Sequence, residues 1–273
     1  MPRTTLAIVL RRGTLAIWLV GAGACGGSAG SSPASPSTSV PGSPASPAAH
    51  GVIITWGFTH IYSMYSGLGS LPAYDNLTLM RNFVTRLAEG RAASGQIRVL
   101  YTTKSNPRDD PNPQNQAWYQ PFLAMISQIG TVEFRRPSQA PPGSFDVVIA
   151  DFCAVPEDAE RAILTTHVLA GGRVLVLGDN FCWSSQVNRT SAESANLMLR
   201  DLGIVFTTEE ITERNPLAIA PAEQQDVLAG VSLLNVFRVT PQSASGSWTP
   251  IVTSGGKILA AITTIPSAGT VLR

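Results

Sequence analysis

The sequence predicts an α/β domain: a three-layer sandwich with a mostly parallel, flavodoxin-like sheet and a β-rich C-terminal part. Three observations carry that expectation. Two short apolar runs, Val147–Ala150 and Val174–Leu177, lack polar alternation, as strands covered on both faces do. The residues between them read as one helix, so the two strands are expected side by side and parallel. Strand and helix signals also alternate from residue 51 to residue 207, before a tail of β-rich segments.

Taken in order, Gly51–Gly57 reads as a buried strand, and a long loop runs from Phe58 to Tyr74. Asp75 or Asn76 is placed to cap a helix whose apolar positions, Leu79, Phe83, Val84 and Leu87, recur at helical spacing before Gly90. Ile97–Thr102 is the next strand, and the proline- and asparagine-rich stretch from Asn106 to Pro113 is a loop. Trp118, Phe122, Met125, Ile126 and Ile129 mark an amphipathic helix, followed by a strand over Thr131–Phe134. In the central unit, Pro156, Glu157 and Asp158 suit the first turn of a helix that Gly171 and Gly172 stop. His167, near that helix's end, is placed to interact with the negative end of its dipole. Thr190 and Glu193 have capping-box spacing ahead of Ala195, Met198, Leu199 and Leu202, with Gly203 closing the helix. Val205–Thr207 reads as a strand and residues 215–230 as loop with a short helix. Val236–Thr240, Pro250–Thr253 and Ile258–Thr263 read as strands, the last after a Gly255–Gly256 turn, with Val271–Arg273 as a further edge.

The first 50 residues are not expected to join this domain. Arg3, Arg11 and Arg12 precede an apolar run, Leu15–Val20, then small residues and Cys25, the layout of a secretory signal over residues 1–24. The run is short for a spanning helix, which needs about 20 apolar residues. Small residues directly ahead of a cysteine resemble the lipobox of bacterial lipoproteins, with Ala22 where that family usually has leucine. The resemblance implies lipidation of Cys25 and attachment to a membrane; an ordinary cleaved signal with a stray cysteine would look much the same. Residues 25–50, nearly all Gly, Ser, Ala and Pro after Cys25, are expected to be a disordered spacer. Residues 51–273 remain for the α/β domain, enough for a substantial core.

Charge excludes one class of partner. The chain has 19 basic and 18 acidic residues; without the three signal arginines, 16 basic face 18 acidic, a net of −2. That balance is no footprint for nucleic acid.

The combination of Phe145–Ile149, Ala170–Asp179 and Leu202–Ile204 resembles the class I glutamine amidotransferase-like superfamily over residues 97–207, on the side of its non-catalytic, exported and transport-associated branch. Trp56–His60 and the following helix are similar to the closing strand and helix of such a domain, here placed first. A permuted arrangement, in which the N-terminal strand completes the sheet, and a simple extra strand both remain open. Catalytic members place a cysteine in the turn straight after the strand, with a His-x-Glu pair downstream. Here Gly178-Asp179 stands at that turn, Cys182 comes later, and none of the three histidines, His50, His60 and His167, follows it. A cysteine without a base is a poor nucleophile, so glutaminase chemistry is not expected.

In parallel sheets, sites form beyond the carboxyl ends of the strands. That rule makes His60, Lys104, Asp151, Cys153, Asp179, Asn180, Cys182 and Trp183 candidates. Of these, His60, Lys104, Asp151, Asp179, Asn180 and Trp183 are the candidate ligand-binding set. Asp151 and Asp179 end adjacent strands, where paired carboxylates hold a divalent cation or act as acid and base, or simply cap the following turns. No Cys/His spacing supports zinc, and no cofactor or metal is expected. With Cys25 assigned to the anchor, Cys153 and Cys182 follow neighbouring strands about 4.8 Å apart, within disulfide reach; two free thiols are the alternative. Gly67 and Gly69 could expose backbone N–H groups to an anion, and Tyr62, Tyr65 and Tyr74 could form a contact surface. The expected function is an exported, lipid-anchored binding or accessory module of the cell envelope, at the outer membrane or cell surface, which binds either an envelope protein partner or a small polar ligand at the strand ends. The alternative is an extracytoplasmic hydrolase using Asp151, Asp179 and His60.

Overall fold

The computed structural model describes residues 50–58, 74–91, 95–103, 113–154 and 157–266, with side chains in the 113–127 helix described from Tyr119 onward. The expected signal, Cys25, the spacer as far as residue 49, His60, the Tyr62–Gly69 part of the first loop, Lys104, the 106–112 part of the proline-rich loop, Pro156 and Val271–Arg273 lie outside the described residues. The elements in chain order are β1 (Gly51–Trp56), α1 (Asn76–Ala88), β2 (Ile97–Thr102), α2 (Pro113–Ser127), β3 (Gly130–Arg135), β4 (Val147–Asp151), α3 (Asp158–Leu169) and β5 (Arg173–Leu177). Then come β6 (Trp183–Ser184), β7 (Arg189–Thr190), α4 (Ser191–Leu199), β8 (Ile204–Phe206), β9 (Leu217–Ala218), β10 (Leu233–Leu234), β11 (Gln242–Ala244), β12 (Thr249–Ser254) and β13 (Lys257–Ile265).

The protein is a mixed α/β fold around a large, mostly parallel sheet of order β3-β2-β4-β5-β1-β13-β11-β8, with β12 also on β13. The two apolar runs of the central unit are neighbours and parallel, Val148 against Val174 and Ala150 against Val176. β1 is internal, parallel to β5 on one side and antiparallel to β13 on the other. Alternate residues of each strand feed two separate apolar clusters. Val52, Ile54, Trp56, Val147, Ile149, Leu175 and Leu177 join Leu79, Met80 and Phe83 of α1 and Phe122 of α2. Ile53, Val148, Ala150, Val174 and Val176 join Leu164 and Val168 of α3 and Ala195, Met198 and Leu199 of α4. Each such aliphatic side chain contributes about 1.5–3 kcal/mol on full burial, which explains why β1, β4 and β5 read as unbroken apolar runs.

Local signals held in most places. Thr190 and Glu193 form the reciprocal capping box at the start of α4. Gly255 and Gly256 sit at φ 56° and 77° between β12 and β13, the positive-φ pair that a primed hairpin turn requires. Gly57 is required for another reason: Thr240 crosses so closely that a Cβ there would overlap the Thr240 carbonyl oxygen.

Three expectations are corrected. Asp75 occupies the N-cap position of α1 but makes no cap bond; its Oδ2 instead accepts from the N–H and hydroxyl of Ser232 and from the N–H of Leu233. Those contacts hold its carboxyl below the ordinary value against the opposing effect of burial. Val236–Thr240 is a turn, not a strand. Arg238 has φ 65°, its N–H donates to Ile211 O, and the N–H of Thr240 donates to Gly57 O, so tertiary partners override the β-propensity of Val and Thr.

The third correction concerns His167. Burial, then the charge of Arg91, lowers its pKa from 6.5 to about 4. The ring is therefore neutral at pH 7 and brings no charge to the helix end. Between those values the unfolded chain takes up a proton that the folded chain refuses. Stability is therefore expected to fall as pH drops from 6.5 towards 4. Chemical denaturation across that range should show a shallower fall in a His167→Gln variant; equal slopes would contradict the neutral ring.

Candidate functional site

At the carboxyl ends of the parallel strands, the two expected acids turn out to organise backbone. Asp151 closes β4 opposite Leu177 and is 2% exposed. Its Oδ2 accepts from the Tyr101 hydroxyl at 2.8 Å, and its Oδ1 accepts from the N–H groups of Cys153 at 3.0 Å and Ala154 at 3.4 Å. Tyr101 is itself held edge-on against Phe122 and packed on Phe134 in a buried aromatic group. The N–H of Asp151 donates to Thr102 Oγ1, tying the end of β4 to that of β2.

Asp179 follows β5 by two residues and is fully buried. Its Oδ1 accepts from the Cys182 N–H at 2.7 Å, its N–H donates to Ser191 Oγ at 2.7 Å, and its carbonyl accepts from the Ala192 N–H. The loop from Asp179 to Thr190 is thereby closed onto the first turn of α4, and the N–H of Ser191 returns a bond to Cys182 O. Each carboxylate thus sets the turn that carries one cysteine. Cys153 and Cys182 are joined as a disulfide, with Cα atoms 5.7 Å apart. Both sulfurs of the neighbouring-strand pairing are accounted for.

Asn180 is also occupied. Its Nδ2 donates to the carbonyls of Thr207 and Glu209, and its N–H to Thr240 Oγ1. Of the expected candidate set, Asp151, Asp179 and Asn180 therefore fasten this end of the sheet together, while His60 and Lys104 lie outside the described residues.

Trp183 behaves differently. It stands in the β6–β7 hairpin, paired with Thr190, and is 56% exposed. Phe181, two residues earlier, is 53% exposed. The Arg238 guanidinium lies 4.1 Å over the Phe181 ring and 5.5 Å from Phe237, and Arg214 lies 5.2 Å over the other partner, Phe237. No ion pair to Arg214 or Arg238 occurs among the described residues. A guanidinium stacked on a ring keeps its edge N–H groups outward, ready for a carboxylate.

Sequence reasoning singled out Trp183 but passed over Phe181, Arg214, Phe237 and Arg238. The signal for Arg238 was masked by a strand-like context that the left-handed turn contradicts. Phe181 lies between Asn180 and Cys182, and both of those residues face inward bonds, so its outward direction follows from the loop closure alone.

Among the described residues, no group of three His, Cys, Asp or Glu side chains is placed to hold a metal ion, and no helix is long and apolar enough to cross a membrane. No family model, curated protein or solved structure matches the chain.

Proposed function

We propose that this chain is an exported lipoprotein, anchored by lipid on Cys25 at the outer membrane or cell surface, whose α/β domain binds an envelope protein and performs no catalysis. In this reading the domain is a three-layer, flavodoxin-like sandwich, similar to the non-catalytic branch of class I glutamine amidotransferases. Support for the layering comes from the two apolar clusters, one holding α1 and α2 residues and the other α3 and α4 residues. The internal place of β1 favours the permuted arrangement over an added strand.

One observation carries the binding reading. Asp151, Asp179 and Asn180 are engaged in bonds that close turns, while Phe181, under the stacked Arg238, and Trp183 are exposed. Aromatic residues and arginine are the types enriched where partners dock. The chemistry of the face suits a protein segment with carboxylates beside apolar side chains. Among the described residues, the bonds that engage Asp151 and Asp179 give the hydrolase alternative no comparable support.

The test is a photo-reactive amino acid at the exposed Ser185, introduced in the full chain in whole cells. A discrete protein adduct is expected, and it should disappear when Phe181 and Arg238 are replaced by Ser and Glu. Absence of any adduct, or one indifferent to those changes, would overturn the reading. A Cys25→Ser variant should in parallel leave the membrane fraction.

A further inference from the structure

At the other end of the parallel strands, Arg86 and Arg173 line a cavity that the binding face does not involve, and a third arginine, Arg91, adds its charge to theirs. Arg173 opens β5 beside Val52 of β1. Arg86 comes from α1 and Arg91 from the turn after it, where Arg91 donates to Gly171 O at 2.6 Å. Arg86 bonds Glu89 and lies 3.9 Å from Asp226. Among the described residues Arg173 has no such partner, and its Nε is buried and donates to no acceptor. An orphaned, charged donor of this kind costs more than an ordinary hydrogen bond returns.

The surroundings sharpen the point. Burial, then Arg91 and Arg86, push the Arg173 guanidinium below its ordinary value, with only Glu89 acting in the other direction. Arg91 likewise depresses His167. Three cations face two carboxylates, both of which are already on Arg86, so the local field stays positive. Beside Arg173 is a cavity of about 180 Å³, lined by Val52, Arg86, Glu89, Arg173, Ile262 and Thr264. It shares Arg86, Ile262 and Thr264 with a groove of about 530 Å³ that runs on past Asp226 and Thr249. At about 30 Å³ per water-sized group, the smaller cavity admits a compact oxyanion.

We propose that this cavity is a phosphate-binding site, in which the Arg173 and Arg86 guanidinium groups and the Thr264 hydroxyl donate to a phosphate group. The donors come from β5, α1 and β13, so they approach from different sides. A tetrahedral oxyanion accepts in that way, whereas a planar carboxylate is matched by a single guanidinium fork. The adjoining groove leaves room for whatever the phosphate is attached to.

The test is titration of the full chain with inorganic phosphate, followed by calorimetry and by the thermal midpoint, at constant ionic strength set with chloride. Saturable binding and a raised midpoint are expected. Arg173→Gln should weaken binding by about tenfold or more, the equivalent of one charge-assisted bond. Thr264→Val removes a donor on the rim without disturbing the core and should also weaken it. Glycerol 3-phosphate and vesicles of phosphatidylglycerol in phosphatidylcholine identify the source. Vesicle capture that Arg173→Gln abolishes assigns the site to a lipid headgroup, and soluble phosphate bound with inert vesicles assigns it to a free phosphate compound. No saturable binding of phosphate, or equal binding by both variants and the wild type, overturns the proposal. Loss of the Ser185 adduct bears on the opposite face and leaves this result independent.

Discussion

Replacing Cys153 and Cys182 together by serine is expected to lower the unfolding free energy by about 3–4 kcal/mol. The bridge spans 29 residues, and closing a loop of that length removes chain entropy from the unfolded state. For a domain of this size the thermal midpoint should drop by about 10 °C. Reductant should bring the wild type to the same value as the double variant and leave the variant unchanged. Phe181 and Trp183 flank one end of the bridge, so hydrogen exchange should rise over residues 179–190 in the reduced protein and stay unchanged in β1. Identical unfolding of oxidised and reduced wild type would show that the pair does not form the bridge in solution.

Asp179→Ala is the second large effect. The carboxylate is fully buried and accepts from the Cys182 N–H, and truncation leaves that donor without an acceptor. A cost of about 3 kcal/mol is expected, the upper part of the range for bonds to charged groups. Asp179→Asn keeps an oxygen at the same place and should recover a good part of that loss. Denaturant unfolding under oxidising conditions measures both. A stability within about 0.5 kcal/mol of wild type for Asp179→Ala, the range of an ordinary surface substitution, would mean that the acid is held for some purpose other than the turn.

The centre of the fold was legible because β4 and β5 are covered on both faces. Burial on two sides leaves no polar alternation, so Val147–Ala150 and Val174–Leu177 announce both their strand character and their adjacency. Adjacency in turn made the Cys153–Cys182 pairing legible, since the two cysteines leave neighbouring strands. The capping box of α4 was legible because it is local in sequence. Asp75 was misread because its partners, Ser232 and Leu233, are distant along the chain, and no local pattern marks them. Arg238 was misread for a related reason. A single left-handed residue bonded to Ile211, with Thr240 bonded to Gly57, turns a Val/Thr-rich stretch away from the sheet.

The candidate site divides along the same line. Residue type and position at a strand end identified Asp151, Asp179, Asn180 and Trp183, but position cannot distinguish a group facing a ligand from one closing its own turn. That distinction depends on which N–H groups the loop presents, and only the folded chain arranges them. The stacked arginines and Phe181 carry no sequence motif, because an exposed aromatic becomes a contact surface only by where its loop is fastened. The Arg86, Arg91 and Arg173 cluster was illegible for the opposite reason: its members are dispersed over α1, the turn after it and β5.

The account holds that aromatic side chains and arginine meet the partner while the acids shape the loops behind them. Adduct yield from the Ser185 position, compared between two double variants, tests this most directly. Asp151→Asn with Asp179→Asn should retain the adduct, and Phe181→Ser with Trp183→Ser should lose most of it at an unchanged thermal midpoint. The reverse pattern, with the asparagine variant losing the adduct while still folded and the serine variant keeping it, would contradict the account.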